Sequence, residues 1–174
     1  NARSSSGEVY IFFGRQTWLT PVDLASTSPS VVIYGVDPLD TLGNALAIGD
    51  WNGDGKKDLA IAARFADGAN NSKSTAGDVY ILFGRTNWLT TIDLKSADAS
   101  RSNADVTLFG PDTGDQLGRS LALSDVNGDG RADLVMGATG GDGLNNGRAD
   151  SGDVYVVYGK ASPAAKYALS TAAN

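Results

Sequence analysis

The sequence predicts an all-β chain built from repeated four-stranded antiparallel sheets, and three observations lead there. One phrase, GEVYIFFGR at positions 7–15, returns as GDVYILFGR at 77–85 and GDVYVVYGK at 152–160, at nearly even spacing. Self-similarity on this scale marks stacked supersecondary units. The apolar segments are short and bounded by Gly, Asp, Asn or Pro, and 22 glycines among 174 residues mark many turns. No segment shows the apolar spacing of a helix.

A second block, LGNALAIGDWNGDGKKDLAIAAR at 42–64, recurs as LGRSLALSDVNGDGRADLVMGAT at 117–139, the same distance on as the last two copies of the phrase. The complete unit therefore offers four strands: Leu42–Ile48, Asp58–Ala63, Asp78–Phe83 and Asp105–Phe109. Two more, Glu8–Phe13 and Val31–Tyr34, belong to a preceding unit; the last unit has three, with a fourth expected near Lys166–Ser170. In the third strand Val79, Ile81 and Phe83 face one way and Tyr80 and Leu82 the other, so both faces are apolar and both are expected to be buried. The first two strands favour small residues (Gly43, Ala45, Ala47, Ala60, Ala62, Ala63), as where several sheets crowd toward a common axis. These are the features of propeller blades. Residues 1–41 read as the outer strands of one blade, 42–110 as a complete blade and 111–174 as a third, about two and a half in all. Propellers close with about four to eight blades, so the rest of the ring is expected from a longer parent chain or from further copies of this one. Asn1, with no initiator methionine, reads as a cut end.

Composition narrows the chemistry. With no cysteine and no histidine, disulfides, thiolate metal sites, a cysteine nucleophile and imidazole base catalysis are excluded. A net charge of −6 disfavours nucleic acid and anionic membranes as partners and favours cations. No apolar run is long enough to insert in a membrane.

The sharpest signal is DWNGDGKKD at Asp50–Asp58 and DVNGDGRAD at Asp125–Asp133, each between two expected strands. Positions 1, 3, 5 and 9 supply side-chain oxygens from Asp50, Asn52, Asp54 and Asp58, and from Asp125, Asn127, Asp129 and Asp133. Position 7 would add a backbone carbonyl, from Lys56 or Arg131. Calcium takes about six to eight oxygens, which a tight loop with donors on alternate residues can wrap around one ion. Gly55 and Gly130 at position 6 permit the sharp turn. Without a cation the carboxylates would repel by about 4 kcal/mol per pair at ~4 Å and an effective dielectric of ~20. Two bound calcium ions would bring the formal charge from −6 to −2. An EF-hand loop would need an acidic ligand at position 12, where Ile61 and Met136 stand, and flanking helices.

Together these residues resemble the FG-GAP repeat of integrin α subunits, in the longer form found in bacterial secreted and surface proteins. Phe-Gly appears as Phe109-Gly110 and Tyr34-Gly35; the Gly-Ala-Pro element is approximated by Gly137-Ala138-Thr139 and Ala62-Ala63-Arg64. The resemblance runs from Gly7 to about Leu169. It implies a seven-bladed ring, with calcium between first and second strands on the face opposite the usual ligand surface.

Trp18 and Trp88 read as packing residues between blades, with a sugar-stacking platform as the alternative. Trp51, inside a loop where its counterpart is Val126, reads as packing over the loop or as an exposed contact residue. Asp67 and Asp142 read as Asp-Gly turns, with a further cation as the alternative. Arg119 and Arg148 read as solvated charges, and no carboxylate pair outside the loops suggests acid/base catalysis. The expected function is a non-catalytic, extracellular, calcium-binding module for adhesion, scaffolding or recognition of a protein or glycan ligand. The alternatives are an accessory propeller of a secreted phospholipase or polysaccharide-degrading enzyme whose catalytic residues lie elsewhere, and a lectin resting on the tryptophans.

Overall fold

The computed structural model describes residues 3–17, 22–95 and 104–171. Its strands are β1 (Glu8–Ile11), β2 (Val31–Tyr34), β3 (Ala45–Gly49), β4 (Asp58–Ala63), β5 (Asp78–Leu82), β6 (Thr91–Asp93), β7 (Val106–Phe109), β8 (Leu117–Ser124), β9 (Asp133–Ala138), β10 (Asp153–Val157) and β11 (Lys166–Ala168). The helical content of the described residues is two single 3-10 turns, Ala69–Asn71 and Leu144–Asn146. The strands form a first sheet in the order β1-β2-β6, a middle sheet β11-β7-β5-β4-β3 and a last sheet β10-β9-β8.

The middle sheet contains the expected four antiparallel strands. Leu59 pairs Leu82, Ala60 pairs Ile81 and Val79 pairs Leu108. The alternation read from the third strand is present: Tyr80 and Leu82 join Leu59 and Ile61 in a core against the first sheet, while Val79 and Ile81 join Ala60 and Ala62 in a core against the last. Small side chains let the sheets approach. Gly118 of β8 faces Ala62, and a methyl group there would come within 2.6 Å of the Ala62 Cβ.

The tails of the repeats behave differently from expectation. Lys166–Ala168 does not extend the last sheet as its fourth strand but runs parallel to β7, as a fifth strand of the middle sheet. β6, not anticipated from the sequence, makes the matching parallel pairing with β2, Ile33 opposite Ile92. Each tail thus straps itself onto the outer edge of the sheet before its own. These short segments carry little apolar pattern of their own. Their place is set by the free edge of β2 or β7 and by burial of Ile92 and Leu94 in the first core.

Candidate metal centre

Of the ten residues singled out in sequence, eight stand in two loops, between β3 and β4 and between β8 and β9, and Asp58 and Asp133 open β4 and β9. Each loop closes on its own backbone. Asp50 accepts the N–H groups of Gly53 (2.8 Å) and Asp54 (3.1 Å) on Oδ1 and that of Gly55 (2.9 Å) on Oδ2. Asp125 repeats this with Gly128 (2.7 Å), Asp129 (3.1 Å) and Gly130 (2.8 Å). Asn52 and Asn127 accept from Asp54 and Asp129, both at 2.9 Å, and Asp54 and Asp129 accept from Lys56 and Arg131, both at 2.9 Å. The turn needs a left-handed backbone at position 6, met by Gly55 at φ 82° and Gly130 at φ 87°.

Position 9 anchors each loop to its sheet. The fully buried Asp58 accepts from Trp51 (2.8 Å) and Asn52 (3.2 Å) on one oxygen and from Gly84 (2.8 Å) on the other. Asp133, also fully buried, accepts from Val126 (3.0 Å) and Gly159 (2.9 Å). Burial pushes the Asp58 carboxyl up, opposed by those three N–H groups. The Lys56 N–H and ammonium hold the exposed Asp54 below its ordinary value, and the Gly130 N–H does the same for Asp125.

Three carboxylates, a carboxamide oxygen and a backbone carbonyl in one short loop are hard, oxygen-only donors of the kind that could hold calcium. Among the described residues no three acidic side chains are gathered in chelating geometry. The carboxylates are held instead by N–H groups, which leave further lone pairs on the oxygens.

The two loops are also joined. The Ala132 N–H donates to the Asp50 carbonyl at 2.9 Å, and the Arg131 side chain lies against Gly53. Trp51 is not an exposed contact residue. It is fully buried in the core between middle and last sheets, with Nε1 donating to the Val157 carbonyl (3.3 Å) and its ring edge-on to Tyr167 at 6.4 Å. The packing reading holds for Trp51, and the loop offers no tryptophan face to a sugar. Trp88 packs against the first core with the Arg85 guanidinium 5.5 Å from its ring. Trp18 lies outside the described residues. Asp67 and Asp142 cap turns, accepting from Thr75 and Asp150 at 2.9 Å. Asp40 and Asp78, which sequence reasoning misses, are buried, and the charges of Asp40 and Asp67 act on Asp78. The signal was there, since each has a counterpart one repeat further on, in Asp115 and Asp153.

Among the described residues no helix is long and apolar enough to cross a membrane. The chain is similar to phosphatidylinositol-glycan-specific phospholipase D. It is 32% identical to the Mus musculus protein over 156 residues, which is 90% of this chain and 17% of the relative. It is 32% identical to the Homo sapiens protein over 133 residues and 34% to the Bos taurus protein over 134, each covering 76% of this chain and 14% of the relative. The chain therefore spans less than a fifth of the length of these relatives. The family model of the FG-GAP repeat matches residues 42–82 and 117–157, each match running from the strand before an acidic loop to the repeated phrase after it. This all-β chain carries two FG-GAP repeats of the β-propeller type.

Proposed function

We propose that the chain is a calcium-stapled propeller segment, serving outside the cell as a non-catalytic recognition module of a larger protein. The supporting observation is the pair of acidic loops, which close with the same hydrogen bonds and join through Ala132 and Asp50. Bound calcium would replace repulsion among the carboxylates with attraction and fix the ends of four strands. Loop sites of this weak kind fill where calcium is millimolar, which favours an extracellular setting. The similarity to phosphatidylinositol-glycan-specific phospholipase D favours attachment to a lipid-cleaving enzyme whose catalytic residues lie outside these 174 residues.

Thermal unfolding with and without chelator tests the staple. Each filled site adds about 2.7 kcal/mol at a hundredfold excess of calcium over Kd. Melting is therefore expected to fall in chelator, recover on adding calcium, and recover less in Asp54→Ala or Asp129→Ala. Identical melting in chelator and calcium would sink the reading. Intact mass of the natural protein tests the attachment: a mass near that of this chain alone removes the enzyme setting.

A further inference from the structure

We infer that the cavity between the first and middle sheets, at the end remote from the acidic loops, is a binding site for a free apolar α-amino acid. Asp78 takes the ammonium group, Lys166 the carboxylate, and Val36, Leu94 and Phe109 the side chain. Asp78 opens β5 opposite Ala63, the far end of β4 from the loop residue Asp58.

Strand register builds the site. β5, β7 and β11 are neighbours in the middle sheet, with Asp78 opposite Phe109, Tyr80 opposite Thr107, and Thr107 in turn opposite Lys166. Residues paired across strands, and those two apart along one strand, share a face of a sheet, so these five side chains stand on one side. It is the side that carries Tyr80 and Leu82 into the first core. Val36 and Leu94, which follow β2 and β6, line the cavity from the first sheet. Its volume is about 400 Å³, within the roughly 300–1,000 Å³ of small-molecule sites.

An unpaired carboxylate marks the cavity as a site. Asp78 lines it and is only 5% exposed; its Oδ1 has no donor among the described residues, and its Oδ2 meets only the Tyr80 hydroxyl, at 3.3 Å. A buried acceptor without a donor is costly, and a ligand donor removes that cost. Asp40 and Asp67 add negative charge around Asp78, so an ammonium group fits better than a neutral hydroxyl. Lys166 stands two strands away on the same face, about 10 Å across the sheet, a gap that its long stem and an amino acid's backbone span together. Opposite charges at the two ends with apolar walls between them match an amino acid and no simple amine or acid.

The next repeat shows which walls matter. Gly143, Asp153 and Tyr155, the counterparts of Gly68, Asp78 and Tyr80, line a second cavity of about 230 Å³. Its Asp153 is only half-buried, and neither a phenylalanine nor a lysine lines it. One amino acid per chain is therefore expected.

Calorimetric titration of the whole chain with L-leucine, in calcium, tests the site. Saturable binding of one equivalent is expected. Asp78→Asn is expected to weaken it by about tenfold or more, the usual loss when a charged hydrogen-bond partner is removed. Lys166→Gln is expected to weaken it by only a few-fold, since Lys166 is exposed. N-acetyl-leucine, which lacks the ammonium, and isoamylamine, which lacks the carboxylate, are both expected to bind less tightly than leucine, the former least. Circular dichroism checks that each variant is folded, and Lys166→Gln with the two analogues decides the matter should Asp78→Asn unfold. No saturable binding up to about 10 mM leucine, or binding unmoved by the variants and the analogues, overturns the inference. Chelator-dependent melting reads the acidic loops separately, so either reading can fail without the other.

Discussion

In the middle sheet β5 is buried at every position, whereas β10, which repeats its sequence one unit later, leaves Val154 70% and Val156 45% exposed. β4 and β9 differ in the same way, the former buried throughout and the latter only in part. The loops follow suit: Trp51 is fully buried while Val126, its counterpart, is 55% exposed. Yet both sheets have the same register and both loops the same backbone hydrogen bonds to their first Asp. Local conformation is therefore set by the repeat's own residues, the glycines at positive φ and the Asx bonds. Burial is set by whether another sheet lies on the far side, which the middle sheet has and the last sheet lacks among the described residues.

Substitutions at matched positions can break this contrast. Trp51→Ala is expected to cost about 3–5 kcal/mol, as large aromatic truncations in cores do, while Val126→Ala stays within about 0.5 kcal/mol; urea denaturation of the pair checks both. Equal losses would mean that the two loops are equivalent in packing and that the contrast is wrong. Ile81→Ala is expected to remove about 3 kcal/mol, against less than about 1 kcal/mol for Val156→Ala, its exposed counterpart. The straps allow a finer comparison. Ile92→Val should lower stability by about 1 kcal/mol, whereas Val22→Ala, at the same position in the phrase one unit earlier but exposed, should leave melting almost unchanged. The smallest effect is expected at the exposed Lys56–Asp54 ion pair (3.1 Å): Lys56→Ala should leave melting almost unchanged because water screens the pair, and a clear drop would mark the pair as part of the loop's scaffold.

Those parts of the molecule written in local code were readable in advance. The phrase at 77–85 specifies a two-faced strand because Val79, Tyr80, Ile81 and Leu82 are all apolar, and DWNGDG specifies its loop because each side-chain oxygen finds an N–H group a few positions on. What depended on distant neighbours was not readable. Thr91–Asp93, three residues with a single apolar side chain, is too short to show a strand period, and only the open edge of β2 makes it a strand. Lys166–Ala168 joins the middle sheet rather than the last for the same reason. Trp51 reads as a packing residue from the sequence, but its packing partners do not: Val157 and Tyr167 arrive from the last unit to enclose it. Asp40 and Asp78, far apart in the chain, become neighbours only through folding.

The parallel straps bear on how such chains tolerate being cut. One repeat in the sequence is not one sheet in space, because its tail seals the rim of the sheet before it. A protease or an engineer dividing the chain just ahead of β11 would strip β7 of its cover and leave a row of unpaired backbone N–H and C=O groups, the template on which chains aggregate. A soluble excised unit would need its boundary moved downstream, past the strap donated by the following repeat.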